Sequence, residues 1–350
     1  MRCKQHITIS EQFFCACRKI HSLPDNVVIM GIGEPLLNLD NLIAALEKKG
    51  LNVIGINGFW NLPALEKAQP DLVIYQPHGR LGEKAVETLK KLNVPLLCPI
   101  KVGQEYEAYL RDQRGMTGGM LSQSITMPEL DGGTVPFVLS ALYRNKRGLL
   151  EFRTIPDRLE RFAELVRKMT DLKRKKNAEK KIAIVYYSSI GKEAATAGLG
   201  ISESALNVLK RLRSAGFTTG PLPETAEELN REIEAGKRAF GTNAGRTEAE
   251  TGIPRIHTVT IRPDEYRAWV KRSMPDDLYG EFPGKSYRTP EGSLALGCIR
   301  FGNIILMPQS LPGEGDDESK LIHGVKMAPP HTYIATYLYI RHGFQADVLM

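Results

Sequence analysis

Four short apolar runs recur at nearly even spacing early in this 350-residue chain. They begin at Val27, Leu51, Leu72 and Val94, and a stretch of helical character separates each run from the next. Strands that alternate with helical segments at this spacing are typical of βα units, which build a mostly parallel sheet covered by helices. We therefore predict an α/β fold that begins with a doubly wound, flavodoxin-like parallel sheet.

The same alternation returns in the second half of the chain. The sequence from Ile155 to Leu172 predicts a long amphipathic helix, because its apolar side chains fall at helical spacing. A basic segment follows it, and the run from Ile182 predicts the first strand of a second set of α/β elements. The predicted parts are an α/β flavodoxin-like domain over 1–150, a helix with a basic linker over 151–180, and a second doubly wound α/β domain over 181–350 that is incomplete at its C-terminus.

The positive charge of the chain is concentrated in one segment. The net charge is +7, and the segment from Arg167 to Lys181 holds eight basic residues against the two acidic residues Asp171 and Glu179. A charge run that follows a helix is more typical of a solvated hinge than of a binding surface. We predict no nucleic-acid partner, and keep partner docking or binding of an anionic ligand as the alternatives for this segment.

Apolar content and cysteine usage restrict the class of protein further. No stretch approaches the roughly 18 consecutive apolar residues of a membrane span, and the N-terminus lacks the apolar core of a signal peptide. The five cysteines are scattered and include no CxxC pair, which argues against a disulfide framework or a closed zinc site. We predict a cytoplasmic protein with reduced thiols and no membrane span.

Three loops that follow predicted strands contain residues of ligand-binding type. The segment Gly31-Ile32-Gly33 lacks the dinucleotide fingerprint, because Leu36 occupies the third glycine position. The loop from Ser188 to Lys192 lacks the spacing of a phosphate loop, but ligands of open α/β sheets bind at such strand ends. His78 has the simpler interpretation of an incidental surface histidine, with a proton-carrying role as the alternative.

The last fifty residues contain the densest group of candidate site residues. Glu314, Asp316, Asp317, His323 and His331 lie within eighteen positions. Carboxylates and imidazoles are ligands for divalent metals and acceptors for protons. Their spacing matches no closed metal site, so an acidic loop followed by a histidine at a helix start is the alternative interpretation.

Six segments, in order, resemble the large, tetrapyrrole-binding subunit of the chelatases that insert cobalt or magnesium into tetrapyrroles. The resemblance covers the chain from about residue 50 to its end. The segments are Pro128 to Gly132, Asn177 to Val185, Pro221 to Glu224, Ile299 to Asn303, Gly315 to Asp317, and Pro329-Pro330-His331.

The resemblance implies a tetrapyrrole substrate, a divalent metal, and separate AAA+ ATPase subunits that hydrolyse ATP. It also implies roles for particular residues: His331 and Asp317 as catalytic residues, Arg300 and Asn303 as tetrapyrrole-binding residues, and Asp316, Asp317 and His323 as metal ligands. The expected reaction is cobalt insertion into a corrin precursor in cobalamin biosynthesis. Magnesium insertion into protoporphyrin, haem demetallation, and a non-catalytic tetrapyrrole-binding or scaffold module are the alternatives.

The chain also departs from the pattern that it resembles. Members often have a second histidine where this chain has Thr332, and the family sequence continues past the position of Met350 into a Gly-Thr-His-Gly segment. We therefore expect this chain on its own to be catalytically inactive.

Overall fold

The structure is a computed structural model that describes residues 26–31, 39–57, 61–76, 79–112, 114–186, 195–196, 199–238, 258–274, 292–309 and 331–350. The chain divides into two compact units between Arg174 and Lys175. Each unit has its own sheet.

The first unit alternates strands and helices from its first described residue. Its strands are β1 (Asn26–Gly31), β2 (Asn52–Asn57), β3 (Leu72–Tyr75), β4 (Leu96–Glu105), β5 (Gly133–Arg144) and β6 (Leu150–Thr154). Its helices are α1 (Leu39–Lys48), α2 (Leu62–Ala68), α3 (Glu83–Leu92), α4 (Tyr106–Arg111), α5 (Gly118–Leu121), α6 (Met127–Leu130) and α7 (Pro156–Arg174), with a π-helical turn at Ser122–Thr126.

The six strands form one sheet in the order β2-β1-β3-β4-β5-β6. The first five are parallel, and β6 pairs antiparallel with β5. Successive residues of a strand point to opposite faces, so Val27 packs with residues of α1 and α7, whereas Val28 packs with residues of α2 and α3. Helices therefore cover both faces of this sheet, and the predicted α/β class is confirmed.

Helix α7 belongs to the core of the first unit. Phe162, Ala163 and Val166 are fully buried and pack against the sheet together with α1. The sequence predicts the helix and its apolar stripe, but the partner of that stripe lies about a hundred residues earlier in the chain. The division between units therefore falls at the end of this helix, within the segment predicted as the linker.

The second unit begins with a short 3₁₀ turn at Asn177–Glu179. Its strands are β7 (Ile182–Tyr186), β8 (Ala195–Thr196), β9 (Leu199–Gly200), β10 (Thr258–Ile261), β11 (Leu294–Gly297), β12 (Ile299–Phe301), β13 (Ile304–Pro308) and β14 (Val348–Leu349). Its helices are α8 (Ile201–Ser214), α9 (Ala226–Arg238), α10 (Pro263–Ser273) and α11 (His331–Leu338), and a π-helical turn at Tyr339–Gly343 continues α11.

The main sheet of the second unit has the order β12-β13-β7-β14. Strands β13, β7 and β14 are parallel, and β12 is antiparallel to β13. Ala183 and Ile305 pack with residues of α10 and α11, whereas Ile182 and Ile304 pack with residues of α8 and α9. This sheet is therefore also covered on both faces.

The basic segment between the units is engaged in ion pairs within each unit. Arg174 pairs with Asp71 of the first unit at 3.2 Å. In the second unit, Lys175 Nζ lies 2.7 Å from Asp347 Oδ2, which also accepts the backbone N–H of Lys181. These ion pairs neutralise part of the positive charge of the segment. Half-exposed pairs of this kind contribute little to stability.

Two of the cysteines lie in the described residues, and both are buried free thiols. Burial raises the pKa of the Cys98 and Cys298 thiols to about 12, so neither is a thiolate at neutral pH. In the described part of the chain, no helix is both long and apolar enough to cross a membrane.

Candidate functional site

The carboxyl edge of the second sheet is where parallel strands β7 and β13 end. Strand β7 ends at Tyr186 and β13 at Pro308, and the two ends are joined by the N–H of Gln309, which donates to the Tyr186 carbonyl oxygen at 2.8 Å. Ligands of open α/β sheets bind outside such strand ends. This edge is therefore the candidate site of the second unit.

His331 lies at this edge because of the direction of α11. The helix starts at His331, packs over Ile305 and Met307, and continues to Gly343. Beyond it, the Phe344 carbonyl accepts a hydrogen bond from Lys181 Nζ, just before the amino end of β7. The twelve steps from His331 to Gly343, at roughly 1.5 Å per step, span about 18 Å. The helical segment therefore runs from the carboxyl edge back to the amino edge.

Tyr266 of α10 fixes the ring of His331. Its Oη atom lies 3.0 Å from His331 Nδ1, and the two rings meet edge to face with centroids 5.6 Å apart. The phenol is only 4% exposed, so this contact is shielded from water. Because the phenol contacts Nδ1, the protonation of Nε2 depends on which way the hydrogen bond to Tyr266 runs.

The tautomer of His331 depends on which group acts as donor in the hydrogen bond between the Tyr266 hydroxyl and Nδ1. The hydroxyl also lies 3.5 Å from the His331 carbonyl oxygen. When the phenol donates to Nδ1, Nε2 carries the proton; when Nδ1–H donates to the phenol oxygen, Nε2 carries a lone pair. The pair therefore supports both a proton-donating and a proton-accepting imidazole in one ring orientation.

A second histidine holds the other end of the same helical segment. His342 Nε2 lies 2.6 Å from Ser273 Oγ of α10, and its ring lies 6.2 Å from that of Trp269. At Gly343, a Cβ atom would lie 2.5 Å from a ring carbon of Tyr339 and 3.0 Å from Trp269. The two histidine contacts therefore clamp residues 331–343 against α10 at both ends.

Arg300 and Asn303 lie toward the opposite edge of the sheet. The Asn303 side chain donates to the Ala178 carbonyl at 2.9 Å, in the turn that precedes β13. Arg300 donates to the Gly302 carbonyl, and its guanidinium lies 5.7 Å above the Phe344 ring. Asn303 comes directly before β13, at the amino edge of the sheet, whereas His331 follows β13 and lies at the carboxyl edge. The structure therefore does not bring Asn303 to His331.

The other candidates from the acidic tail, Asp316, Asp317, His323 and Glu314, lie outside the described residues, as do His78, Ile32, Gly33 and the loop from Ser188 to Lys192. Among the residues that the structure describes, no group of three His, Cys, Asp or Glu side chains is placed to hold a metal ion.

In the first unit, the Pro128 to Gly132 segment anchors the loop that follows β3. The Asp131 carboxylate accepts hydrogen bonds from Arg80 Nε at 2.8 Å and from the Leu81 N–H at 2.7 Å. The Arg80 guanidinium lowers the pKa of Asp131 below its ordinary value. Since the Asp131 side chain is 1% exposed, this segment has a structural role at the carboxyl edge of its sheet.

Sequence reasoning named His331 as a candidate but did not find the residues that hold the two histidines of this helical segment. Tyr266 and Trp269 stand out in the sequence only as bulky residues of a predicted helix, and Ser273 gives no signal at all. Tyr266 and His331 are 65 residues apart, so no local pattern could pair them.

Comparison with known proteins identifies the family. A model of the CobN/magnesium-chelatase family matches residues 32–350. The chain belongs to this family. The resemblance inferred from six sequence segments is therefore confirmed.

Relatives within the CobN/magnesium-chelatase family cover most of this chain. A magnesium-chelatase subunit of Chlorobaculum parvum is 28% identical over 89% of this chain, and the match spans 25% of that protein. Aerobic cobaltochelatase subunit CobN of Pseudomonas aeruginosa is 28% identical over 74% of this chain and 21% of that protein. The chain thus spans about a quarter or less of these relatives.

The fold is similar to that of a solved family structure. The catalytic subunit of cobaltochelatase from Mycobacterium tuberculosis matches with a TM-score of 0.73 at 20% identity, over 93% of this chain and 30% of that one. This similarity supports the α/β architecture.

Proposed function

We propose that this chain is part of the large subunit of an ATP-dependent metal chelatase. In this proposal it binds a tetrapyrrole and takes part in inserting a divalent metal, with cobalt and a corrin precursor of cobalamin biosynthesis as substrates. The family match over residues 32–350 carries the proposal. The anchored imidazole of His331 at the carboxyl edge of the second sheet supports it.

The tetrapyrrole lies at the carboxyl edge of the second sheet in this proposal. Insertion of a divalent ion into a free-base ring releases two pyrrole protons, so the site needs proton acceptors beside the ring. His331 accepts one proton at Nε2, and Asp317 accepts the other. Asp316, Asp317 and His323 deliver the hydrated metal substrate, because carboxylates and imidazoles suit ions of this kind.

Arg300 and Asn303 have a different role in this arrangement from the one that the resemblance implies. Their hydrogen bonds to Gly302 and Ala178 hold the turn between β12 and β13. We assign them to the support of the amino edge, with the ring bound at the other edge.

The partners and the location of the chain are part of the proposal. We propose separate AAA+ subunits that hydrolyse ATP, and the cytoplasm as the site of action. The relatives from Chlorobaculum and Pseudomonas are both named as subunits of a chelatase, which supports an assembly of several chains.

We also propose that each unit is a doubly wound layer. In the first unit the five parallel strands have the order 2-1-3-4-5, which is the flavodoxin-like order. The helix cover on both faces of each sheet supports the same description.

Magnesium insertion into protoporphyrin is the second candidate function. The magnesium-chelatase relative from Chlorobaculum parvum matches 89% of this chain, which favours it.

Reconstitution separates the candidates. Because the chain on its own is expected to be inactive, a chelatase large subunit in which this chain replaces the matching segment is combined with purified AAA+ chelatase subunits and ATP. Either cobalt with a corrin precursor or magnesium with protoporphyrin is added, and metal uptake is followed by absorbance. Cobalt uptake supports the main proposal, and magnesium uptake supports the second. Tetrapyrrole binding without uptake of either metal would indicate a non-catalytic binding module. Absence of tetrapyrrole binding would refute both the cobalt and the magnesium proposals.

A further inference from the structure

The outward face of helix α11 is uncharged. From His331 to Ile340 the chain has no Asp, Glu, Lys or Arg residue, whereas the exposed positions of the neighbouring α10 include Asp264, Arg267 and Lys271. A helix at the surface of a protein normally turns charged and polar residues outward. The outward face of α11 is therefore a candidate contact surface.

Helical spacing determines which side chains form this face. At about 100° per residue, the outward side lies opposite the fully buried Ala335 and Thr336. The residues on the outward side are Tyr333, Ile334 and Tyr337, and each of them is partly exposed. Ile334 and Tyr337 also pack in part against the core beneath the helix. We call these three residues the tyrosine face.

The two tyrosines of this face form a pair. The centroids of the Tyr333 and Tyr337 rings are 5.3 Å apart, the ring planes meet at 61°, and a side-chain hydrogen bond joins the two residues. A tyrosine side chain with an ordinary or raised pKa is neutral at pH 7. The face therefore presents two uncharged aromatic rings in a fixed mutual orientation.

The chemistry of the tyrosine face restricts what it can bind. Anions and metal ions need charged or strongly polar partners, and the hydroxyls of this face already bond to each other. Flat conjugated ring systems, in contrast, pack on aromatic side chains and bury apolar area there. The six steps from His331 to Tyr337 span about 9 Å. This length suits a ligand with a broad, flat face.

We propose that the tyrosine face of α11 contacts the flat side of the tetrapyrrole macrocycle, beside the imidazole of His331. This inference rests on the proposed function and adds the surface that holds the ring. It is supported by the position of the face, because His331 starts the same helix at the carboxyl edge and Tyr333 follows two residues later. The contact is made with the macrocycle and not with its peripheral groups, so it serves corrins and porphyrins alike.

Two substitutions of Tyr333 test the proposal. The variants are titrated with protoporphyrin and with a metal-free corrin, which have no axial ligands to cover the faces of the macrocycle. Tyr333→Ala is expected to bind each ring that the wild type binds about tenfold more weakly, because an aromatic contact and its buried area are lost. Tyr333→Phe keeps the aromatic ring and is expected to recover the wild-type affinity to within about twofold.

Tyr106→Ala is the matched control. Tyr106 and Tyr143 form a tyrosine pair with the same centroid distance of 5.3 Å, but in the first unit. This variant is expected to bind both rings as the wild type does. Thermal unfolding of unliganded Tyr333→Ala is expected close to the wild-type midpoint, because the side chain is partly exposed and side-chain pairs at this helical spacing contribute little to stability.

Four outcomes would overturn the inference while leaving the proposed function intact. They are wild-type affinity in Tyr333→Ala; an equal loss in Tyr333→Phe, which would place the contact at the hydroxyl; an equal loss in Tyr106→Ala; and a clearly lower unfolding midpoint of Tyr333→Ala, which would show that the face packs against the protein itself. If the wild type binds neither ring, the proposed function itself fails.

Discussion

Replacing Tyr266 with phenylalanine separates the positioning of His331 from the packing of α10. The substitution removes the hydroxyl that lies 3.0 Å from Nδ1 and keeps the edge-to-face ring contact at 5.6 Å. Loss of one largely buried hydrogen bond costs about 1 kcal/mol of unfolding free energy. In a unit of this size, that loss lowers the unfolding midpoint by roughly 2–4 °C.

The functional effect of Tyr266→Phe is expected to exceed its effect on stability. A hydrogen-bond partner that orients an active imidazole typically contributes about 10- to 100-fold to metal affinity or activity. We therefore expect metal uptake by the reconstituted chelatase to fall by about that factor, while the far-ultraviolet circular dichroism spectrum stays unchanged.

Ser273→Ala is the matched control for this prediction. It removes the corresponding bond between α10 and the other histidine, His342, so it is expected to lower stability by a similar amount and leave metal uptake within about twofold of wild type. Equal losses of uptake in the two variants, or a loss of stability alone in Tyr266→Phe, would refute a positioning role for Tyr266.

Three further substitutions test the account of the fold and of the site edges. Asp131→Asn is expected to lower the free energy of unfolding by about 1–2 kcal/mol at pH 7, measured by urea unfolding. Arg80 lowers the pKa of the native Asp131 carboxyl. The stability that the carboxylate contributes is therefore present above its unfolded pKa of about 4, and it is lost as the pH falls through the native pKa. A difference that grew on acidification would contradict the ion pair. Gly343→Ala is expected to cost about 1–3 kcal/mol, because a Cβ atom overlaps the Tyr339 ring; an unchanged urea midpoint would count against the packing described. Asn303→Ala is expected to lower the free energy of unfolding by about 1 kcal/mol, because the hydrogen bond to the Ala178 carbonyl is lost. Its affinity for tetrapyrroles is expected to equal that of the wild type, and weaker binding would show that Asn303 belongs to the binding site.

Local elements could be predicted from the sequence because their signals are local. The runs beginning at Val27, Leu51 and Leu72 correspond to β1, β2 and β3. The helix predicted from Ile155 to Leu172 is observed at Pro156–Arg174. Apolar periodicity records which face of an element is buried, so these elements needed no information about their partners.

The arrangement of the site could not be predicted in the same way. Tyr266 and His331 meet because α10 and α11 pack on one face of the second sheet, and the sequence does not say which helices share a face. Asn303 was predicted beside the ring because the segment from Ile299 to Asn303 resembles the chelatase family. The direction of β13 separates it from His331, since the strand lies between them.

The central claim is that a tetrapyrrole binds at the edge where His331 lies, and one titration tests it most directly. The wild-type chain, His331→Ala and His342→Ala are titrated with cobinamide and protoporphyrin, and the shift of the visible absorption band on binding is recorded. The account predicts a saturable shift for wild type and His342→Ala with at least one ring, and a loss of that shift in His331→Ala. Binding by all three proteins with equal affinity and an identical spectral shift would contradict it.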